Sequence, residues 1–196
     1  MNRLPSIFMI LAAASLSLLF FFPMWKIYLD APQYPEGLEM HIWINKIGGD
    51  SEFTLQNFNI LNHYIGMAPI DANSFKELEI MPLFAFGFIG TALLLALFPK
   101  RGLIMTWLVL LALAGIAGIS DFYLWLVKFG TDLDPSAPIK VPGMTYIPPL
   151  IGSKQLLNFH AFSFPSIGGA GIGLAMLFGA LAFWKTYAKK IKKEEI

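Results

Sequence analysis

Apolar positions gather in four long runs: Leu4 to Trp25, Ile80 to Phe98, Leu103 to Phe122 and Phe164 to Trp184. Each can cross a bilayer as a helix, which takes roughly 20 apolar residues. Between the first two runs the pattern changes. After a turn-rich stretch from Asp30 to Gly37, Leu38, Met40, Ile42 and Ile44 alternate with Glu39, His41, Trp43 and Asn45, the period of a strand. Gly48, Gly49 and Asp50 predict a turn into a second strand near Glu52 to Leu55, and so a short hairpin. Asn57 is placed to cap a short helix through Ile65, closed by Gly66 and Pro69. On that helix His63 stands one turn after Asn59 and one turn before Met67. Ser74 and Glu77 read as a capping box for the helix that becomes the second span, and Pro82 predicts a bend in it.

The predicted fold is an all-α integral membrane protein of four transmembrane helices, with a small strand-containing extracytoplasmic subdomain and a proline-rich outer loop. Its divisions are a cytoplasmic tip and first helix (1–25), the subdomain (26–79), helices two and three (80–122), the outer loop (123–163), and the fourth helix with a basic tail (164–196). A hydrophobic share of 56% supports a membrane class. The mean hydropathy of +0.62 agrees with it.

Orientation follows from the basic residues flanking the spans. Arg3, Lys100, Arg101, Lys185, Lys189, Lys190, Lys192 and Lys193 fall in three regions that four spans place on one side, predicting cytoplasmic termini. The opposite side carries six lysines against eleven carboxylates, and the basic side eight Lys and Arg against Glu194 and Glu195. The split is −5 and +6, matching the net charge of +1. A bacterial cytoplasmic membrane and multi-pass insertion are expected. The first run lacks a small-x-small site after Phe20 to Trp25, so it reads as a retained anchor rather than a cleaved signal.

Several chemistries are disfavoured. The regions assigned to the cytoplasm are too small for an ATPase domain. The string GGAGIG at 168–173 lacks a preceding strand and an acidic ribose partner, so neither nucleotide nor nucleic acid is an expected partner. Gly169 and Gly173 are instead expected to let a neighbouring helix approach, as are Gly87, Gly90, Gly115 and Gly118. The spans hold no histidine pair for haem, and there is no cysteine for disulfides or thiolate sites. Asp121, near the outward end of the third span, reads as a boundary carboxylate paired with Lys128 or Lys26; the sharper alternative is a proton acceptor.

All three histidines, His41, His63 and His160, fall in the outer connectors. With Met40, Met67 and Met144 they offer the imidazole and thioether ligands that suit Cu(I), although no short repeat of ligand spacing appears. The candidate metal ligands are His63, Met67, His160, His41 and Met144, and copper is the cofactor this chemistry would admit. The cofactor is otherwise unknown. Five prolines between Pro135 and Pro149 stiffen the second connector into a fixed binding surface or a rigid cap.

The outer strings Tyr34-Pro35-Glu36-Gly37-Leu38, Leu61-Asn62-His63-Tyr64-Ile65-Gly66-Met67, Ile139-Lys140-Val141-Pro142-Gly143-Met144, Pro148-Pro149-Leu150-Ile151-Gly152 and Leu156-Leu157-Asn158-Phe159 resemble those of the NosB-like family. These are small bacterial membrane proteins encoded with the clade II, or atypical, nitrous oxide reductase. The resemblance covers the outer segments, and the spans only in general character. It implies a denitrification accessory protein or complex subunit that docks, assembles or supports copper delivery to a periplasmic copper enzyme. No functional residue carries over from the family. The residues expected to face that partner are Tyr34, Pro35, Glu36, Asn62, His63, Tyr64, Val141, Pro142, Gly143, Pro148 and Pro149. No catalytic motif is present, so a non-enzymatic role is expected, with membrane lipids as the remaining partner. Two alternatives stand: a quinol-linked electron-transfer subunit using Asp121 or His160 as proton acceptor, and a small copper-transport protein.

Overall fold

The computed structural model describes residues 3–194, with side chains described from 3 to 186. The side chains of Lys189, Lys190, Lys192, Lys193 and Glu194, and Glu195 altogether, lie outside the described residues. The elements in chain order are α1 (Leu4–Ser17), β1 (Trp25–Ala31), β2 (Tyr34–Ile42), β3 (Ile47–Gly49), α2 (Thr54–Ile65), α3 (Glu77–Leu97), α4 (Arg101–Thr131), β4 (Gly152–Leu156), β5 (Phe159–Pro165) and α5 (Ile167–Glu194).

Among the described residues three helices, α3, α4 and the Ile167–Thr186 part of α5, are long and apolar enough to cross a membrane, the mark of a membrane protein. The first apolar run is shorter than its sequence promises. α1 tightens into a 3-10 turn at Leu18–Phe20, and Pro23 cannot continue a helix, so Trp25 opens a strand instead. The fourth run begins later for a related reason. Phe164 and Pro165 finish β5, and the helix starts at Ile167. The third runs past Phe122 to Thr131, because Leu126 and Phe129 bury themselves in the outer core.

α1 packs between α5 and α3, and Met9 and Ala12 are fully enclosed. Glycines permit the α1–α5 approach, but not the pair expected. A Cβ on Gly168 would lie 2.5 Å from the Phe22 carbonyl oxygen, and one on Gly171 would lie 2.5 Å from that of Ser15. Gly173 faces open space, as do Gly87, Gly90, Gly115 and Gly118, so the expected packing roles of these five are not realised within the chain.

The sheet-bearing head is not the single hairpin read from the sequence. It is built on a five-stranded antiparallel sheet of order β3-β2-β1-β5-β4, so the all-α description gives way to a helical bundle carrying a sheet. β1 and β2 form the main hairpin, with Ala31 opposite Tyr34 across Pro32-Gln33. The expected second strand at Glu52 to Leu55 is displaced to β3, since Thr54 starts α2. Thr54 is buried, and its hydroxyl donates to Asp50 Oδ1 at 2.8 Å, so the corner, not Asn57, sets the helix start. The expected Ser74–Glu77 box is absent too. The Ser74 hydroxyl donates to Asp71, which caps the short 3-10 turn before α3.

Alternation along the strands divides the sheet into two faces. Ile27, Leu29, Leu38, Met40, Ile42, Phe159 and Ala161 form a core with Phe58, Leu61 and Ile65 of α2 and Leu126 of α4. Ser163 is the polar member of that face. Its hydroxyl receives the Trp25 indole N–H at 2.8 Å and donates to the Leu150 carbonyl at 3.0 Å, tying β1 and β5 to the proline-rich segment. The other face carries Lys26, Tyr28 and Asp30, with Glu39 and His41 on one side and His160 and Phe162 on the other.

Candidate functional site

Two of the strings singled out in the connectors, Leu61–Met67 and Ile139–Met144, meet at the C-terminal end of α2. Gly66 ends that helix in the left-handed region, φ 82°, as the sequence predicts. The chain then folds back, held by two asparagines of α2. Asn59 accepts from the Ile70 N–H at 2.7 Å and donates to the Ile70 carbonyl at 3.1 Å. Asn62 is buried and donates to the Ala68 carbonyl at 3.4 Å.

The proline-rich segment docks against this end through backbone bonds. The Asp134 N–H donates to the Gly66 carbonyl at 2.8 Å, and that of Ile139 to the Tyr64 carbonyl at 2.9 Å. Both acceptors are at the helix end, where carbonyls lack intrahelical partners. A Cβ on Gly66 would lie 2.9 Å from the Asp134 carbonyl oxygen and from the Ala137 Cβ, so glycine is required here by space as well as by φ.

Docking leaves a cleft of about 460 Å³ lined by His63, Met67, Pro69, Asp132, Asp134 and neighbouring backbone. Asp134 accepts from the hydroxyl and the N–H of Ser136, at 2.6 and 2.7 Å. Those bonds, with smaller contributions from His63 and Lys140, hold its carboxyl below the usual carboxylate range. The cleft therefore presents an ionised carboxylate beside an imidazole and a thioether. It suits a cation or a basic side chain.

The structure brings together only part of the expected metal set. His63 and Met67 share the cleft, joined by Asp132 and Asp134, which sequence reasoning missed because they lie some seventy positions away in the chain. His41 and His160 are elsewhere, on the outer sheet face. His41 pairs with Lys26 and His160 with Asp30, four residues along β1 and on opposite sides of it, about 16 Å apart by strand geometry. His160 lies against the Phe162 ring at 4.5 Å between centroids. Met144 is half-buried against the head core. A copper site shared by the three histidines is thus not formed, and no group of three His, Cys, Asp or Glu among the described residues could hold a metal ion. Copper held by His63 and Met67 would need soft ligands from a partner.

Asp121 is exposed on α4 and makes neither predicted ion pair among the described residues. Lys26 pairs with Glu39 instead, and Glu39 also accepts from His41 Nε2 at 2.7 Å. The Lys26 and then the His41 hydrogen bond hold Glu39 below its ordinary range. Period-two spacing puts Glu39 and His41 on one face, but Lys26 joins them only once β1 is recognised as a strand.

The predicted partner-facing residues sort by burial. Pro35, Glu36, His63, Tyr64, Val141, Pro142 and Gly143 are exposed, while Tyr34, Pro148 and Pro149 are half-buried. Asn62 is buried and occupied by Ala68, so it cannot face a partner. Ile60 and Tyr64 stand one turn apart on α2, the backbone bond from Ile139 brings that residue beside Tyr64, and Val141 follows two residues on. These four side chains remain 42–49% exposed. No protein-family model matches the chain, and no curated protein matches it.

Proposed function

We propose that this chain is a non-catalytic membrane accessory protein whose head docks a partner protein on the extracytoplasmic side. The observation that carries this reading is a set of exposed apolar side chains in the head: Ile60 and Tyr64 one turn apart on α2, Ile139 bonded to Tyr64 through the backbone, and Val141 two residues on. Contiguous apolar surface outside a membrane is a mark of protein association. Tyr64 supplies the aromatic anchor that such interfaces favour. On the resemblance of the outer strings, the partner is a periplasmic copper reductase of the nitrous oxide type, and the His63–Met67 cleft beside the cluster supports copper transfer to it.

The accompanying topology is a four-span protein of a bacterial inner membrane with both termini in the cytoplasm. α1 and its 3-10 turn together span Leu4–Phe20, about 25 Å, and serve as the short fourth span. The packing of α1 against both α5 and α3 supports this, since a helix held by two neighbours need not match the lipid thickness. The basic residues Arg3, Lys100, Arg101 and Lys185 flank the helix ends away from the sheet. That is the distribution expected of a cytoplasmic face.

The test is copurification from gently solubilised native membranes through a C-terminal tag. Stoichiometric recovery of a copper reductase, reduced at least roughly tenfold by Tyr64→Ala with Val141→Asp, supports docking. Recovery of the same partner at undiminished yield by the double variant sinks this surface as the interface. Recovery of no extracytoplasmic protein by either form sinks the docking function itself.

A further inference from the structure

A second cavity, of about 590 Å³, lies where the sheet meets the helices. Its lining is mixed. Phe22, Trp43, Phe164 and Ile167 supply apolar and aromatic surface, and Lys26 and His41 a polar end. The position is fixed by the chain path, because Phe22 and Pro23 link α1 to β1 and Phe164 to Ser166 link β5 to α5. Below it, Ile167, Ala170, Leu174 and Leu177 are all exposed and fall on one side of α5, an apolar track leading away from the head. A ligand with a compact headgroup and a long apolar tail matches this shape.

The hydrogen-bonding groups narrow the headgroup. Glu39 is ionised and can only accept, so His41 Nε2 must donate to it. In the neutral imidazole this leaves Nδ1 as an acceptor, while the Lys26 ammonium is already engaged on Glu39. Lys26 and Glu39 also offset each other in charge. A phosphate would meet a lysine whose charge Glu39 already offsets, with that carboxylate and an imidazole acceptor adjacent. A hydroxyl group meets the acceptor it needs. The aromatic walls, Phe22, Trp43 and Phe164, suit a flat ring.

We propose that this cavity binds the hydroxylated aromatic headgroup of a long-tailed membrane hydroquinone, with His41 Nδ1 accepting from a ring hydroxyl and Glu39 and Lys26 fixing the imidazole. The inference rests on the membrane reading of the helices and not on the docking partner. It is a binding site, distinct from the cleft at His63. It also replaces Asp121 and His160 as the residues that would meet a quinol.

The experiment uses the full chain in nanodiscs of phosphatidylcholine, titrated anaerobically with a decyl-tailed benzohydroquinone and followed by calorimetry. Saturable binding at one site per chain is expected. His41→Leu should weaken it roughly tenfold, the scale of one lost hydrogen bond to a bound hydroxyl. Phe164→Ser, at an exposed position that leaves the core intact, should weaken it as well, with circular dichroism confirming the fold of both variants. Adding phosphatidylglycerol to the disc should leave the affinity unchanged. Non-saturable partitioning, equal affinity in both variants, or displacement by phosphatidylglycerol would each overturn the assignment, the last in favour of an anionic lipid.

Discussion

Gly66 and Gly143 form a matched pair that isolates the docking of the proline-rich segment onto α2. Both have positive φ, 82° and 75°, so alanine at either incurs backbone strain of about 1–2 kcal/mol. They differ in surroundings. A Cβ on Gly143 meets nothing within 4 Å, whereas one on Gly66 enters the space between Ala137 and the Asp134 carbonyl at 2.9 Å from each. At Gly66 the backbone must therefore shift, and the Asp134 N–H bond to the Gly66 carbonyl is stretched or lost, at about 1 kcal/mol more. Gly66→Ala is expected to destabilise the head by about 2–3 kcal/mol and Gly143→Ala by about 1–2 kcal/mol. Hydrogen exchange of detergent-solubilised protein reads the difference locally. The amides of Asp134, Ala137 and Ile139 should exchange at least roughly fivefold faster in Gly66→Ala than in Gly143→Ala. Equal exchange in the two variants would show that the segment is not held by the helix end, and the reasoning about the cleft would fall with it.

Glu39 gives a pH-dependent prediction. Its folded pKa is lowered, so its contribution is present above the unfolded carboxylate pKa and disappears as pH falls through the folded value. Solvent screening limits that contribution to under about 1 kcal/mol. Denaturant unfolding followed from neutral to acidic pH should show this loss in the wild type, and Glu39→Gln should remove that component of the slope. In the bundle, Gly171→Leu should sharply lower thermal stability by driving α5 off the Ser15 carbonyl, while Gly173→Leu, facing open space, should leave the melting midpoint nearly unchanged. A similar loss in both would remove the close α1–α5 contact as its explanation. The Tyr146 hydroxyl is buried without a hydrogen-bond partner among the described residues, so Tyr146→Phe should be neutral or stabilising by up to about 1 kcal/mol in chemical denaturation; a clear loss would reveal a hydrogen bond that the geometry lacks.

The membrane helices were legible because lipid exposure demands continuous apolar runs, and α3 and α4 show them plainly. The helix stop at Gly66 was legible because a positive φ leaves a residue signature. Four of the five strands were not, β3 occupying Ile47–Gly49 where the glycines read as a turn. β1 begins inside the first apolar run and β5 ends inside the fourth, so their alternation merges with the hydropathy of the spans. β4, with Ser153, Lys154 and Gln155 exposed, carries almost no apolar pattern and is a strand only because β5 pairs with it. His63 and Met67 are four positions apart in sequence, but Met67 lies beyond the Gly66 cap, so the fold-back after α2 and not helix spacing brings it to the cleft. The addition of Asp132 and Asp134, and of Lys26 to Glu39 and His41, needed tertiary pairing that no local pattern encodes.

The missed strands matter because they determine how the head is joined to the helices. β1 and β5 are neighbours at the centre of the sheet, and they lead directly from α1 and into α5. Their register ends with Trp25 opposite Pro165, and the backbone bonding continues at once: the Ser166 N–H donates to the Met24 carbonyl at 2.9 Å and the Gly168 N–H to the Pro23 carbonyl at 3.0 Å. Gly168 and Gly169 then keep α5 against the Phe22–Met24 connector, and Gly171 keeps it against the α1 backbone at Ser15. One hydrogen-bonded and close-packed seam thus runs from the head into the membrane helices. α4 is anchored differently, by Ile104, Trp107 and Leu111 at one end and Leu126 at the other, with the turns between largely exposed. The second cavity lies beside the α1–α5 seam, so part of its wall, from Phe22 and Pro23 to Ser166 and Ile167, is hydrogen-bonded, closely packed backbone. That rigidity favours binding with little ordering cost.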